Sequence, residues 1–154
     1  MRLLLSIALG TLLLTACSSD DERPTAAEDV TYAPELGVNL SVMTRHPSGV
    51  YLQDLVTGAG AEASLGKRAS VHYTGWLPNG TRFDTSAERD PFVVFPVGND
   101  HRVIEGWNVG ILGMRVGGKR LIVIPSYLAY GGSPPPPIPK HSVLVFEVEL
   151  ISVQ

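Results

Sequence analysis

At 154 residues and a net charge of −3, the chain has the size of one domain and lacks the basic excess on which nucleic-acid binding draws. Its apolar fraction of 44% is ordinary for a globular chain, and its 16 Gly and 12 Pro, spread between apolar runs, point to short strands joined by tight turns and away from a helical bundle. The single cysteine, Cys17, excludes an intramolecular disulfide and a thiolate metal cluster.

Met1-Arg2 supplies a positive charge, Leu3 to Leu14 is almost wholly apolar, and the small residues Thr15-Ala16 precede Cys17. That order is a secretory signal, and its apolar run is shorter than the roughly 20 residues a spanning helix needs. Leu14-Thr15-Ala16-Cys17 resembles the bacterial lipobox, whose cysteine becomes the first mature residue and is acylated. Several acyl chains on Cys17 would anchor the protein stably to a membrane. Ser18, in place of Asp, implies by the same resemblance the periplasmic face of the outer membrane. The expected division is a signal peptide over 1–16, a lipidated Cys17 with a flexible tether to residue 36, and a folded domain over 37–154. The tether is expected because residues 18–36 are polar and acidic, without hydrophobic periodicity.

Gly37 to Val42 alternates apolar and polar, as does Val50 to Val56, and both are expected strands. Lys67 to Leu77 is a third, closed by Pro78-Asn79-Gly80. Asn-Gly predicts a tight hairpin, since both residues tolerate positive φ. The chain should return through Thr81 to Asp84, and Phe92 to Val97 is a further apolar run. Between Glu105 and Met114, the residues Trp107, Ile111 and Met114 recur at helical spacing. Glycines within that run weaken its helix propensity, so packing must hold it. Lys119 to Ile124 is a strand stopped by Pro125. Ser142 to Ser152 is another, with Leu144, Phe146, Val148 and Leu150 on one face and Glu147 and Glu149 on a wet face. The expected fold is α+β, an antiparallel sheet packed on one short helix.

Five stretches carry a family resemblance: Val71-His72-Tyr73-Thr74-Gly75, Gly80 to Ser86, Val103-Ile104-Glu105-Gly106-Trp107, Leu128-Ala129-Tyr130-Gly131 and Ile138 to Phe146. Their order and spacing over residues 48–154 are similar to the FKBP-type peptidyl-prolyl cis-trans isomerases. The resemblance implies a five- or six-stranded antiparallel sheet wrapped around one short α-helix, and no cofactor. It implies an active monomer whose pocket takes proline-containing polypeptides and, as inhibitors, macrolides of the tacrolimus and rapamycin type. It places Tyr73, Phe83, Asp84, Val103, Ile104, Trp107, Tyr130 and Phe146 in the catalytic cradle, with Trp107 as floor and Tyr130 as the ligand's hydrogen-bond donor. Ile138, Phe95 and either Phe92 or Val93 are implied to touch substrate. The chain departs from the family pattern in three places. Two residues separate Phe92 from Phe95, Asn99 to Arg102 is longer than usual, and Ser133-Pro134-Pro135-Pro136-Pro137 replaces a Gly-rich flap.

The chemistry suits such residues. Rotation of an X–Pro amide faces a barrier of about 18–20 kcal/mol. The twisted state loses resonance and is less polar, so a dry apolar pocket favours it over the planar, water-bound amide. Aromatic residues of this number serve equally as core, and Asp84 could be a solvated hairpin acid. A binding module that uses the cradle without turnover is the other reading. His46, His72, His101 and His141 lack short metal-ligand spacing, and Gly113 to Arg120 fails as a phosphate loop because Arg120 stands where Ser or Thr is needed. If Cys17 is lipidated, metabolic labelling with a fatty-acid analogue will mark the wild-type protein and leave Cys17→Ser unlabelled; label on that variant, or none on wild type, rules the anchor out.

Overall fold

The computed structural model describes residues 23–87, 93–98 and 100–154. Within them the chain forms β1 (Thr44–Arg45), β2 (Tyr51–Val56), β3 (Arg68–Trp76), β4 (Arg82–Thr85), β5 (Val93–Pro96), α1 (Glu105–Gly110), β6 (Lys119–Ile124) and β7 (Leu144–Val153). All strand pairs are antiparallel, in the order β1-β2-β6-β7-β3-β4, with β5 also paired to β3. β5 lies along Arg68–Val71 and β4 along Thr74–Trp76, so the two share one edge of β3. The α+β class and the sheet around a short helix are therefore as expected, in a sheet of seven strands.

The alternation of β7 sends Leu144, Phe146, Val148 and Leu150 into one core with Val71, Phe95, Trp107, Ile111, Met114, Ile122 and Ile124. Helix α1, at six residues, is too short to persist alone in water. Its glycines let it settle on β6: a Cβ on Gly106 would strike Ile124, and one on Gly110 would stand 2.7 Å from Ile122 Cδ1. Arg120, buried in β6, donates through Nη1 to the carbonyls of Gly110 and Leu112 at 3.0 Å, placing a cation where the helix dipole is negative. Asp54 Oδ1 accepts from Arg120 Nε at 2.6 Å and compensates the charge. The helix stops earlier than the spacing predicts: Met114 sits in the following turn, where its N–H donates to Ile111 O, yet it remains buried.

One local expectation is corrected. Residues 37–42 form turns and not a strand, because the Asn39 side chain accepts the Ser41 N–H at 3.2 Å and its carbonyl accepts Val42 N–H at 3.1 Å. The β3–β4 connection is the expected tight hairpin. Pro78 fixes a negative φ, Gly80 N–H donates to Leu77 O at 3.0 Å, and among the turn residues Gly80 alone has positive φ, at 88°.

The flexible tether expected through residue 36 is also corrected. From Thr25 onward the segment is a strap on the outer face of the sheet. Ala27 is fully buried, and Val30, Tyr32, Leu36, Val38 and Leu40 pack against Met43, Tyr51, Leu121, Val123, Val143 and Val145. Tyr32 Oη donates to Ala27 O at 2.6 Å. Glu28 Oε1 accepts from Tyr51 Oη at 2.7 Å and from Arg45 Nε at 3.0 Å. The acidic residues thus face outward or pair, while the apolar residues between them bury. Residues 1–22, including the expected signal peptide and Cys17, lie outside the described residues. A chain that begins at Gly37 should lose at least about 2 kcal/mol of stability, the scale of one large apolar side chain returned to water. Urea unfolding followed by tryptophan fluorescence compares the two chains, and equal midpoints would reduce the strap to a tether.

Candidate active site

A cavity of about 650 Å³ opens at one end of the inner core, between β3, β4, the loop into α1 and the turn at Ala129-Tyr130. Trp107 forms its base and is 4% exposed. Its ring meets Tyr73 edge-on at 4.9 Å and 89°, and Phe146 edge-on at 5.4 Å. Phe83 meets Phe146 the same way at 5.6 Å. Edge-to-face pairs of this kind contribute about 0.5–1.5 kcal/mol each beyond buried area, so each ring braces its neighbour. Gly75 on β3 makes room for it: a Cβ there would lie 2.7 Å from Phe83 Cζ and 2.8 Å from Phe146 Cε1.

The polar groups are tied down as tightly. Tyr73 Oη donates to Asp84 Oδ2 at 2.5 Å, while the Thr85 N–H donates to Asp84 Oδ1 at 2.9 Å. The carboxylate is therefore oriented on both oxygens from β3 and β4. Tyr130, 39% exposed at the rim, has its hydroxyl pKa pushed up, chiefly by burial and then by the charge of Asp84. At neutral pH it is a hydrogen-bond donor. Among the described residues no three His, Cys, Asp or Glu side chains are grouped to hold a metal ion.

Tyr73, Phe83, Asp84, Val103, Ile104, Trp107, Tyr130 and Phe146 all line the cavity. Phe95 and Ile138, expected to touch substrate, do not. Phe95 is 1% exposed and backs Trp107 from the core side at 5.6 Å, and Ile138 is 8% exposed within the same core. Phe92 lies outside the described residues. The lining also includes Asp100, His101, Arg102, Glu105 and Ala129, which residue type alone did not single out. The long Asn99–Arg102 stretch was the available signal: its charged residues form one side of the cavity mouth.

A family model described as FKBP-type peptidyl-prolyl cis-trans isomerase matches residues 60–151, which carry every one of these lining residues. The chain belongs to this family. Relatives span nearly the same domain: the FK506-binding protein of Neisseria meningitidis serogroup B is 47% identical over 106 residues, 68% of this chain and 96% of that protein. Among solved structures, FkpA from Escherichia coli is 36% identical with a TM-score of 0.65, over 73% of this chain and 51% of that one. A peptidyl-prolyl cis-trans isomerase from Pseudomonas syringae is 34% identical with a TM-score of 0.63, over 73% of this chain and 80% of that one. The FKBP-type domain catalyses rotation about X–Pro bonds, and the family binds proline-containing substrates and FK506-type ligands.

In this FKBP domain the long loop before α1 is clamped to the helix that bears the floor. Asn108, next to Trp107 and 5% exposed, accepts the Asp100 N–H at 3.0 Å and donates to the Asp100 carbonyl at 3.2 Å. Asp100 in turn accepts from Arg102 Nε and Nη2 at 2.9 and 2.8 Å, and the Arg102 guanidinium holds its carboxyl below the usual pKa. Val103 and Ile104, which follow directly, thus enter the cavity from a fixed backbone. Asn108→Ala should strand both buried backbone groups of Asp100 and cost about 1–3 kcal/mol in urea unfolding. A loss under about 0.5 kcal/mol would mean that the loop keeps its shape without the clamp.

Proposed function

We propose that the aromatic cavity is where this isomerase binds and rotates an X–Pro peptide, and that it does so for exported proteins while anchored through Cys17 to the periplasmic face of the outer membrane. The observation that carries the site is the edge-to-face box of Tyr73, Phe83, Trp107 and Phe146, with a protonated Tyr130 at its rim. The prolyl ring lies on Trp107, with Phe83 and Phe146 on one side and Val103 and Ile104 on the other. Water excluded by these walls no longer stabilises the planar, charge-separated amide, so the twisted state gains relative to the ground state. Tyr130 donates to a peptide carbonyl and fixes the chain's direction. Asp84, held by Tyr73 and the Thr85 N–H, orients the phenol and the β4 wall. No bond to hydrogen changes during rotation, so the carboxylate moves no proton.

The export role and the anchor rest on the signal-like N-terminus and on Cys17 in its lipobox-like setting. Proline isomerisation takes tens of seconds uncatalysed, slow enough to limit folding outside the cytoplasm. Macrolides of the tacrolimus and rapamycin type bind the same cavity, beside the stiff flap of Pro134 to Pro137, and the enzyme acts as a monomer.

NMR exchange on a short Leu-Pro or Phe-Pro peptide tests the mechanism. Wild type should accelerate exchange, with a rate nearly flat from about pH 6 to 9, because the Tyr130 pKa is raised above its ordinary value of about 10 and the hydroxyl stays a donor throughout. Phe83→Ala should lower kcat/KM about tenfold or more, Tyr130→Phe should cost about 0.5–1.5 kcal/mol, and Asp84→Asn should keep measurable activity. A steep pH step that disappears in Asp84→Asn would make Asp84 an acid–base catalyst, and binding without exchange would make the domain a peptide-holding module.

A further inference from the structure

The strap on the outer face touches two places that matter on the inner one. At its start, the Thr25 N–H donates to Ser126 Oγ at 2.7 Å and the Ser126 N–H donates back to Thr25 O at 3.0 Å. Ser126 is fully buried and opens the turn whose end is the cavity rim: its carbonyl accepts from the N–H groups of Ala129, at 3.2 Å, and Gly131, at 2.9 Å, on either side of Tyr130. At its far end, the Ala33 N–H donates to Pro78 O at 2.8 Å, in the turn that connects β3 to β4. Glu35 Oε1 and Ala33 Cβ pack where a side chain on Gly80 would stand, 2.5 and 3.4 Å from its ideal Cβ. That turn delivers Phe83 and Asp84 to the cavity, and its glycine is thus required twice, for its φ of 88° and for the strap beside it.

Between these grips the strap is itself braced. Ala27 is buried, Tyr32 closes on the Ala27 carbonyl, and Glu28 is held by Tyr51 and Arg45. A strap that yielded in the middle could not transmit position from one end to the other, and this one has an apolar core and polar ties along its length. It also lies wholly outside residues 60–151, where the family match runs.

We propose that residues 25–35 are a positioning element of the isomerase pocket, fixing the Tyr130 rim relative to the Phe83–Asp84 wall by holding Ser126 and Pro78 from the opposite face of the sheet. The proposal rests on the assignment of Phe83, Asp84 and Tyr130 to substrate binding. It makes the spacing of the pocket walls depend on a segment that never touches the substrate.

Single-bond variants separate position from stability. Ala33 already has a φ of −62° and an extended ψ of 135°, so Ala33→Pro keeps these torsions while it removes the N–H that reaches Pro78 and sets the ring's Cδ against the Pro78 carbonyl, which breaks the grip. Ser126→Ala removes the acceptor for Thr25. In the full chain, each variant should raise KM for an X–Pro peptide and the Kd of a tacrolimus-type macrolide about threefold, the scale of one hydrogen bond, and the double variant more. Val38→Ala is the control: it lies beyond both grips, thins the same apolar cluster and lowers the unfolding midpoint, and KM and Kd should stay at wild-type values. Should Ser126→Ala fail to fold, Ala33→Pro decides alone. Wild-type KM and Kd in Ala33→Pro would overturn the proposal, as would equal shifts in Val38→Ala, which would assign the effect to stability. Phe83→Ala without effect would remove the pocket assignment and the proposal with it, whereas a strong Phe83→Ala effect beside a silent Ala33→Pro would sink the strap's role alone.

Discussion

The central strands of this sheet are apolar on both faces, and water must be kept from both. Leu121, Ile122, Val123 and Ile124 of β6 are buried in succession, as are Val143 to Phe146 entering and along β7. A strand with one wet face would alternate; these do not, and so they require two covers. One cover is α1 with the aromatic residues around it, the other is the strap. Beyond the strap's reach the outer face turns polar, with Glu147 and Glu149 of β7 opposite Lys119 of β6. The boundary of the strap is thus the boundary of the apolar patch.

The cavity follows from the inner cover being too small for the sheet it covers. Helix α1 spans six residues, and its glycines draw it against Ile122 and Ile124. That close approach leaves the end of the sheet near Tyr73 and Phe83 without a helix above it. Large rings standing edge-on fill the gap in part and leave a hollow lined by their faces. Each ring of the wall stands edge-on against another.

Rotation about an amide asks little of acid–base chemistry and much of shape, and the polar groups here are spent on shape. Asp84 is bound by a phenol and a backbone amide, and Asp100 by a guanidinium and the Asn108 amide. Each tie joins one wall to another: β3 to β4 in the first case, the long loop to the floor helix in the second. Polar ties of this kind fix a geometry more than they add stability, since desolvation of their buried members offsets much of the gain.

Much of this was legible from residue order alone. The alternation of β7, the helical spacing of Trp107 and Ile111, the turn at Gly80 and the five stretches resembling the FKBP family led to the fold and to the eight residues expected in the catalytic cradle, all of which line the cavity. These signals are local or carry a periodicity that the backbone itself imposes. What stayed hidden depends on surfaces made elsewhere. Ala27, Val30, Tyr32 and Leu36 sit singly among acids with no period of two or 3.6, so nothing in their order says that they bury; the two-faced sheet decides it. Phe95 is spaced like a pocket residue and becomes the support behind Trp107, because β5 pairs with Arg68–Val71, away from the cavity. Asp100 and Asn108 are eight residues apart and look solvated, yet the chain's return into α1 folds them against each other. Sequence determined which residues could form strands, turns and an aromatic cradle, since those depend on each residue's own torsions and polarity. Tertiary structure decided which apolar residues had a surface to cover and which polar residues had a partner, since both depend on distances between parts of the chain that order alone does not bring together.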